Sequence, residues 1–210
     1  MKLSISGKIA AGKTEIAKIL RDNHNYQIVT LSTPIQVAEL LARSHVQNDF
    51  RGVSPIVGYL LHLTHTDNVY AAYNAFLDAA RDNEEELRSG KKPRGFRQQF
   101  GTAMRELDLN VFVRSAIDSV QKENVVCDDL RMVNEATAFR QAGFKLVRVE
   151  VDEAERMRRV EELGYDKNRL SHITETVLDD WTDWDYRFDN SGGEEELAGR
   201  VEEMLAELQR

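Results

Sequence analysis

The chain has 210 residues, a formal net charge of −8, 41% hydrophobic and 30% charged residues, and one cysteine. No uninterrupted apolar run approaches the roughly 18–20 residues that cross a bilayer, so a membrane protein is not expected. The single cysteine, Cys127, excludes an intramolecular disulfide and a cysteine-cluster metal site, and the acidic balance argues against broad, sequence-independent nucleic-acid binding.

The length suits one α/β domain carrying a lid or insertion. A short apolar run leads straight into a glycine loop, with no small-residue cleavage site after it, so Met1 is expected to begin a cytosolic chain. In chain order, Lys2–Ser6 reads as a strand with Leu3 and Ile5 inward, followed by the loop Gly7–Gly12 and a helix over Lys13–Arg21. Tyr26–Leu31 reads as a second strand. A helix from Ile35 to about Arg43 is expected, with Val37, Leu40 and Leu41 on one face. His45–Asn68 is poorly patterned, with turn signals at Arg51-Gly52 and Ser54-Pro55, and with His62 and His65 read as neighbours on an exposed helix face. Val69–Leu87 is helical in pattern and closes in the acidic run Asp82–Glu86, a solvated face. The basic loop Ser89–Gly95 precedes two helices, Phe96–Glu106 and Asn110–Lys122.

Further on, Asn124–Cys127 is a buried strand, Met132–Ala142 a helix ended by Gly143, and Lys145–Val151 a strand. Glu153–Leu163 is a charged helix before the loop Gly164–Leu170. Tyr186–Asp189 reads as a strand, Asn190–Gly193 as a turn, and the last helix carries Leu197, Val201, Leu205 and Leu208 on one face. Strands alternating with helices imply a mainly parallel sheet covered on both faces.

Gly7-Lys8-Ile9-Ala10-Ala11-Gly12-Lys13-Thr14 fits G-x-x-x-x-G-K-[ST], with a strand before it and a helix after it. Glycines let backbone N–H groups curl round a phosphate, and the helix N-terminus adds favourable dipole charge. In that pattern Lys13 reaches the β- and γ-phosphates and Thr14 offers its hydroxyl to Mg²⁺. The residues expected at a triphosphate are therefore Gly7, Lys8, Ala10, Ala11, Gly12, Lys13 and Thr14. No N-K-x-D guanine signature is present, which disfavours a GTPase.

Three further clusters suit a two-substrate site. Arg97 and Arg105, beyond Lys91, Lys92 and Arg94, share a helix face and could grip an acceptor phosphate; a solvated basic face is the alternative. Asp128 and Asp129 stand at a strand's C-terminal end, where ligands bind in open parallel sheets. There they could hold Mg²⁺ through water, accept a sugar hydroxyl, or cap the next helix. Arg156, Arg158, Arg159 and Arg169 could supply lid cations, although Glu153, Glu155, Glu161 and Glu162 are spaced to pair with them. Spacing does not choose among these arginines, and Arg159 stands for them beside Lys13 and Arg131 as a catalytic candidate.

With those segments in place, the chain resembles the phage-type deoxynucleoside monophosphate kinases, a branch of the P-loop nucleotide kinases. The likeness rests on Gly7–Thr14, Arg97-Gln98-Gln99-Phe100-Gly101-Thr102, Asp129-Leu130-Arg131-Met132-Val133-Asn134-Glu135, Ser171-His172-Ile173-Thr174-Glu175, and the ending Asp189–Leu197. It implies a P-loop kinase core, an acceptor-binding insert at about 34–122 and a lid at about 153–172. The implied reaction is ATP- and Mg²⁺-dependent phosphorylation of a deoxynucleoside monophosphate in the cytoplasm. Arg97, Gly101, Thr102, Arg105, Phe112, Asp129, Arg131 and Glu135 would line the acceptor, with Phe112 against its base, and Thr14 and Asp128 would hold Mg²⁺. Gln36–Leu87, which would help select the base, matches no pattern of that family. The resemblance also raises a homodimer, for which the sequence identifies no interface. Two other readings share the phosphate loop: a kinase of hydroxymethylated pyrimidine within phage DNA, where nucleic acid would be the partner, and a non-catalytic or regulatory nucleotide-binding protein.

Overall fold

Five strands, the inner ones carrying runs of consecutive buried residues, are threaded into one sheet by helical crossovers, the arrangement that leaves both sheet faces dry. The computed structural model describes residues 1–47, 54–64, 68–165, 170 and 175–210. The strands are β1 (Lys2–Gly7), β2 (Gln27–Val29), β3 (Val125–Leu130), β4 (Lys145–Glu150) and β5 (Tyr186–Asp189), all parallel in the order β2-β3-β1-β4-β5.

The chain divides into two compact units, Met1–Thr30 with Ile117–Arg210, and Leu31–Ala116. The first holds the sheet with α1 (Lys13–His24), α8 (Val133–Gln141), α9 (Glu153–Glu162) and α10 (Glu194–Leu208). Leu3, Ile5, Val147 and Val149 pack on one face against Ile16, Leu20, Val201 and Met204 of α1 and α10. The crossovers β1→β2 and β3→β4 move in opposite directions across the sheet. Right-handed connections therefore place α1 and α8 on opposite faces. The order also sets β1 at the centre, so the loop that follows it opens where the connections diverge.

The second unit is helical: α2 (Thr33–Val46), α3 (Ser54–Thr64), α4 (Val69–Asp82), α5 (Glu84–Arg88), α6 (Arg94–Leu107) and most of α7 (Val111–Asp118). Its centre is aromatic. Phe96 and Phe100 stack at 5.7 Å, and Phe76 meets both edge-on.

Several sequence expectations are corrected here. Helix α2 buries Pro34, Ala38, Glu39, Ala42 and Val46, while Leu40 is 64% exposed, so its inward face is a small-residue stripe. Ser54-Pro55 opens α3 instead of marking a turn, since proline is tolerated in a first helical turn. The helix expected over Val69–Leu87 breaks at Asn83, and α7 ends at Asp118. The Arg51-Gly52 signal and His65 lie outside the described residues. Among the described residues, no helix is long and apolar enough to cross a membrane.

Candidate functional site

Between β1 and α1 the chain turns through two left-handed residues, Ala10 (φ 65°) and Gly12 (φ 90°). Both glycines answer to close approaches. A Cβ on Gly7 would lie 2.7 Å from the Val149 carbonyl oxygen, and one on Gly12 would lie 2.2 Å from Asn190 Nδ2. Asn190 is 4% exposed and donates to the Ala11 carbonyl at 2.9 Å, which ties the loop to the end of β5. Among the described residues no side chain caps the start of α1, which leaves its first N–H groups for an anion.

Lys13 bends back into this loop. Its Nζ donates to the Gly7 carbonyl at 2.7 Å and to the Lys8 carbonyl at 3.0 Å. Burial, reinforced by the Arg131 charge, pushes its ammonium down to about 8. It is thus a poorly solvated cation held a short distance from where phosphates would sit.

The end of β3 carries the two aspartates, and strand alternation gives them different partners. Thr14 Oγ1 donates to Asp128 Oδ2 at 2.9 Å. Burial raises the Asp128 carboxyl above the usual aspartate range, against the Thr14 hydrogen bond, which lowers it. Asp129 accepts from Thr30 Oγ1 at 2.7 Å and from Cys127 Sγ at 3.1 Å. Neither aspartate caps the next helix. Glu135 does so, accepting from the Arg131 and Met132 backbone N–H groups at 2.9 and 3.0 Å while 4% exposed. Its visible role is therefore to hold the helix start.

An adjacent hydroxyl and carboxylate on strand-end and helix-start positions fit Mg²⁺, a hard cation usually held by one or two protein oxygens plus substrate phosphates. No cluster of three or more His, Cys, Asp or Glu with metal-binding geometry occurs among the described residues, and this mode of binding does not need one.

A cavity of about 510 Å³ runs from Ala10–Thr14 past Asp128 and Arg131 to Arg159, Tyr165, Gly192 and Leu197, a size typical of small-ligand sites. One end is polar backbone and cations, and the other includes apolar side chains. Arg159 fixes the second end, donating to the Asn190 carbonyl at 2.9 Å and to Glu155 Oε1 at 2.8 Å. Arg156 is held by Glu153, and Arg158 by Glu155 and Glu162. The arginines expected of a lid are thus paired along a salt-bridged helix, α9. Arg169 and Ser171–Thr174 lie outside the described residues.

Some participants carried weak sequence signals. Asn190 reads only as a turn residue. Arg148 is 9% exposed and donates to Ser6 Oγ at 3.2 Å and Asp179 at 2.6 Å. A charged residue inside the apolar run of β4 was its signal. Glu175, 5% exposed, accepts from the Ile9 backbone N–H at 2.6 Å and from Arg131 at 3.2 Å.

The remaining acceptor candidates belong to the helical unit. Arg97 pairs with Glu39 at 2.5 Å, and Glu39 also accepts from Arg43 at 2.9 Å. Arg105 lies over the Phe112 ring at 4.7 Å. Phe112 is 2% exposed, so it is a core side chain and does not offer an open face for a base. A Cβ on Gly101 would stand 3.1 Å from Ile35 Cδ1, which explains the glycine by helix packing. Thr102 is exposed on α6.

No protein-family model matches the chain, and no curated protein matches it. Among solved structures, TT1252 from Thermus thermophilus aligns over 98% of this chain and 96% of its own, at 18% identity and a TM-score of 0.49.

Proposed function

We propose that this protein is a phosphotransferase that binds ATP in the cavity above β1 and transfers its γ-phosphate to a deoxynucleoside monophosphate. The observation that carries the reading is the loop Gly7–Thr14 itself. It has left-handed residues at Ala10 and Gly12, an uncapped helix start, and Thr14 bonded to a carboxylate at the end of the neighbouring strand. Phosphoryl transfer is catalysed mainly by positioning and by charge placed where it develops.

In this reading Lys13 leaves the Gly7 and Lys8 carbonyls for the β- and γ-phosphates. The loop N–H groups hold the bridging oxygens, and Arg131 faces the transferring group. Thr14 and Asp128 would hold Mg²⁺, whose chemistry is to neutralise charge between the β- and γ-phosphates. The apolar end, bounded by Leu197 and the Gly192–Gly193 backbone, would take the donor base.

The acceptor assignment rests on the resemblance of Arg97–Thr102 and Asp129–Glu135 to deoxynucleotide kinases. Arg97 supports it in one respect. Glu39 binds its Nε, and among the described residues its terminal nitrogens have no hydrogen-bond partner. A planar guanidinium suits a phosphate, which it can hold through two parallel N–H groups.

The test follows label from [γ-³²P]ATP into each of the four deoxynucleoside monophosphates and into a hydroxymethyluracil-containing duplex. Label in one or more monophosphates is expected. Label in the duplex alone would replace this reading with the DNA-kinase alternative.

A further inference from the structure

The loop that would bind phosphate already holds an anion, supplied by the chain itself. Glu175 Oε2 accepts the Ile9 backbone N–H at 2.6 Å, and Oε1 accepts Arg131 Nη1 at 3.2 Å. The carboxylate is 3% exposed, and its charge acts on Lys13. Asp179, four residues on, pairs with Lys8 at 3.2 Å and Arg148 at 2.6 Å. One short turned segment therefore presents two carboxylates to four groups at or beside the phosphate loop: an N–H and a lysine of the loop, Arg131 just after β3, and Arg148 within β4.

We propose that Glu175 is a built-in surrogate for a phosphate oxygen, which a polyphosphate must displace from Ile9 N–H and Arg131 to bind. The proposal rests on the nucleotide reading of the cavity. A backbone N–H offers one hydrogen bond, so a phosphate oxygen and the Glu175 carboxylate cannot both hold it in this geometry. A buried loop with several cations and no anion would carry an uncompensated charge cost. The carboxylate removes that cost in the empty protein, and Asp179 tethers the segment beside it. Binding then becomes an exchange of anions. A ligand with a single phosphate gains little over the carboxylate it expels, whereas a polyphosphate makes further contacts to Lys13 and the helix start. The segment thus biases the site against single-phosphate ligands without touching the base.

The test measures dissociation constants by calorimetry for MgATP and for tripolyphosphate in the wild type, E175Q, E175D and K13M. E175Q should bind both ligands roughly five- to tenfold more tightly, the scale of one charged hydrogen bond partly replaced by water. E175D keeps the charge but loses reach, and should also bind more tightly than the wild type. Unchanged or weaker binding in E175Q would overturn the proposal. Tighter binding in E175Q with wild-type affinity in E175D would also overturn it, because charge alone would then account for the effect. K13M separates the two readings. If the wild type binds neither ligand in a Lys13-dependent way, the nucleotide reading fails first. Should E175Q not fold, the ¹³C carboxyl shift of Glu175 in the wild type gives the same answer. Movement towards the solvated value on adding tripolyphosphate is expected, and a static signal would overturn displacement.

Discussion

Lys13 and Asp128 are both held against their electrostatic preference, and each gives a measurable consequence. The folded lysine titrates near 8 instead of 10.5, so between those values the unfolded chain binds more protons than the folded one. Stability attributable to Lys13 therefore rises with pH across that window. The penalty below it is on the order of 3 kcal/mol. Chemical denaturation of the wild type against K13M should show the difference moving in the wild type's favour from pH 8 to 10.5. A pH-independent difference would contradict the buried-cation account. Asp128 carries the opposite sign, a carboxyl raised by burial. D128N should leave the melting temperature of the nucleotide-free protein equal or higher, because it removes a desolvated charge, while shifting the Mg²⁺ dependence of ATP binding at least tenfold. Unchanged Mg²⁺ dependence would remove Asp128 from the metal site.

At the scale of elements, the strands and the glycine loop were legible because their signals are local. Short valine-rich runs between polar turns are marked as buried strands by their length and β-branching, and G-x-x-x-x-G-K-T dictates its own backbone. Gly12 shows how strict that is. G12A would force a Cβ into Asn190 at a left-handed residue, and should cost roughly 2–4 kcal/mol of stability, read as a lowered denaturation midpoint. Helix α2 was misread because its partner surface was not visible. Leu40 has the right periodicity to be buried, yet Ala38 and Ala42 face inward, letting neighbouring helices approach, and Glu39 is buried with them. That glutamate is explained only by Arg43 and Arg97, four and fifty-eight residues away. E39A should lose about 2–3 kcal/mol, since two partly buried guanidinium groups lose their carboxylate. E39Q should lose less, because it can still accept one hydrogen bond. Phe112 was ambiguous in the same way: an aromatic after a Gly-Thr helix can reach a base or a core, and only its burial, 2% exposed, places it in the core.

For the whole molecule, the net charge of −8 does not show where its cations are placed. Lys8, Lys13 and Arg131 follow β1 and β3, and Arg159 of α9 reaches the end of β5 through the Asn190 carbonyl, because parallel strands bring all their C-terminal loops to one edge. Composition could exclude a nucleic-acid-coating surface but could not show this concentration, which arises from strand order alone. The central claim is that this edge is the donor half of an acceptor-dependent phosphotransferase. The most direct measurement is ADP release from MgATP by a coupled assay, with and without each deoxynucleoside monophosphate, in the wild type and in K13A. Release that depends on an acceptor in the wild type and falls by at least a hundredfold in K13A is expected. Release indifferent to every acceptor, or retained in K13A, would contradict it.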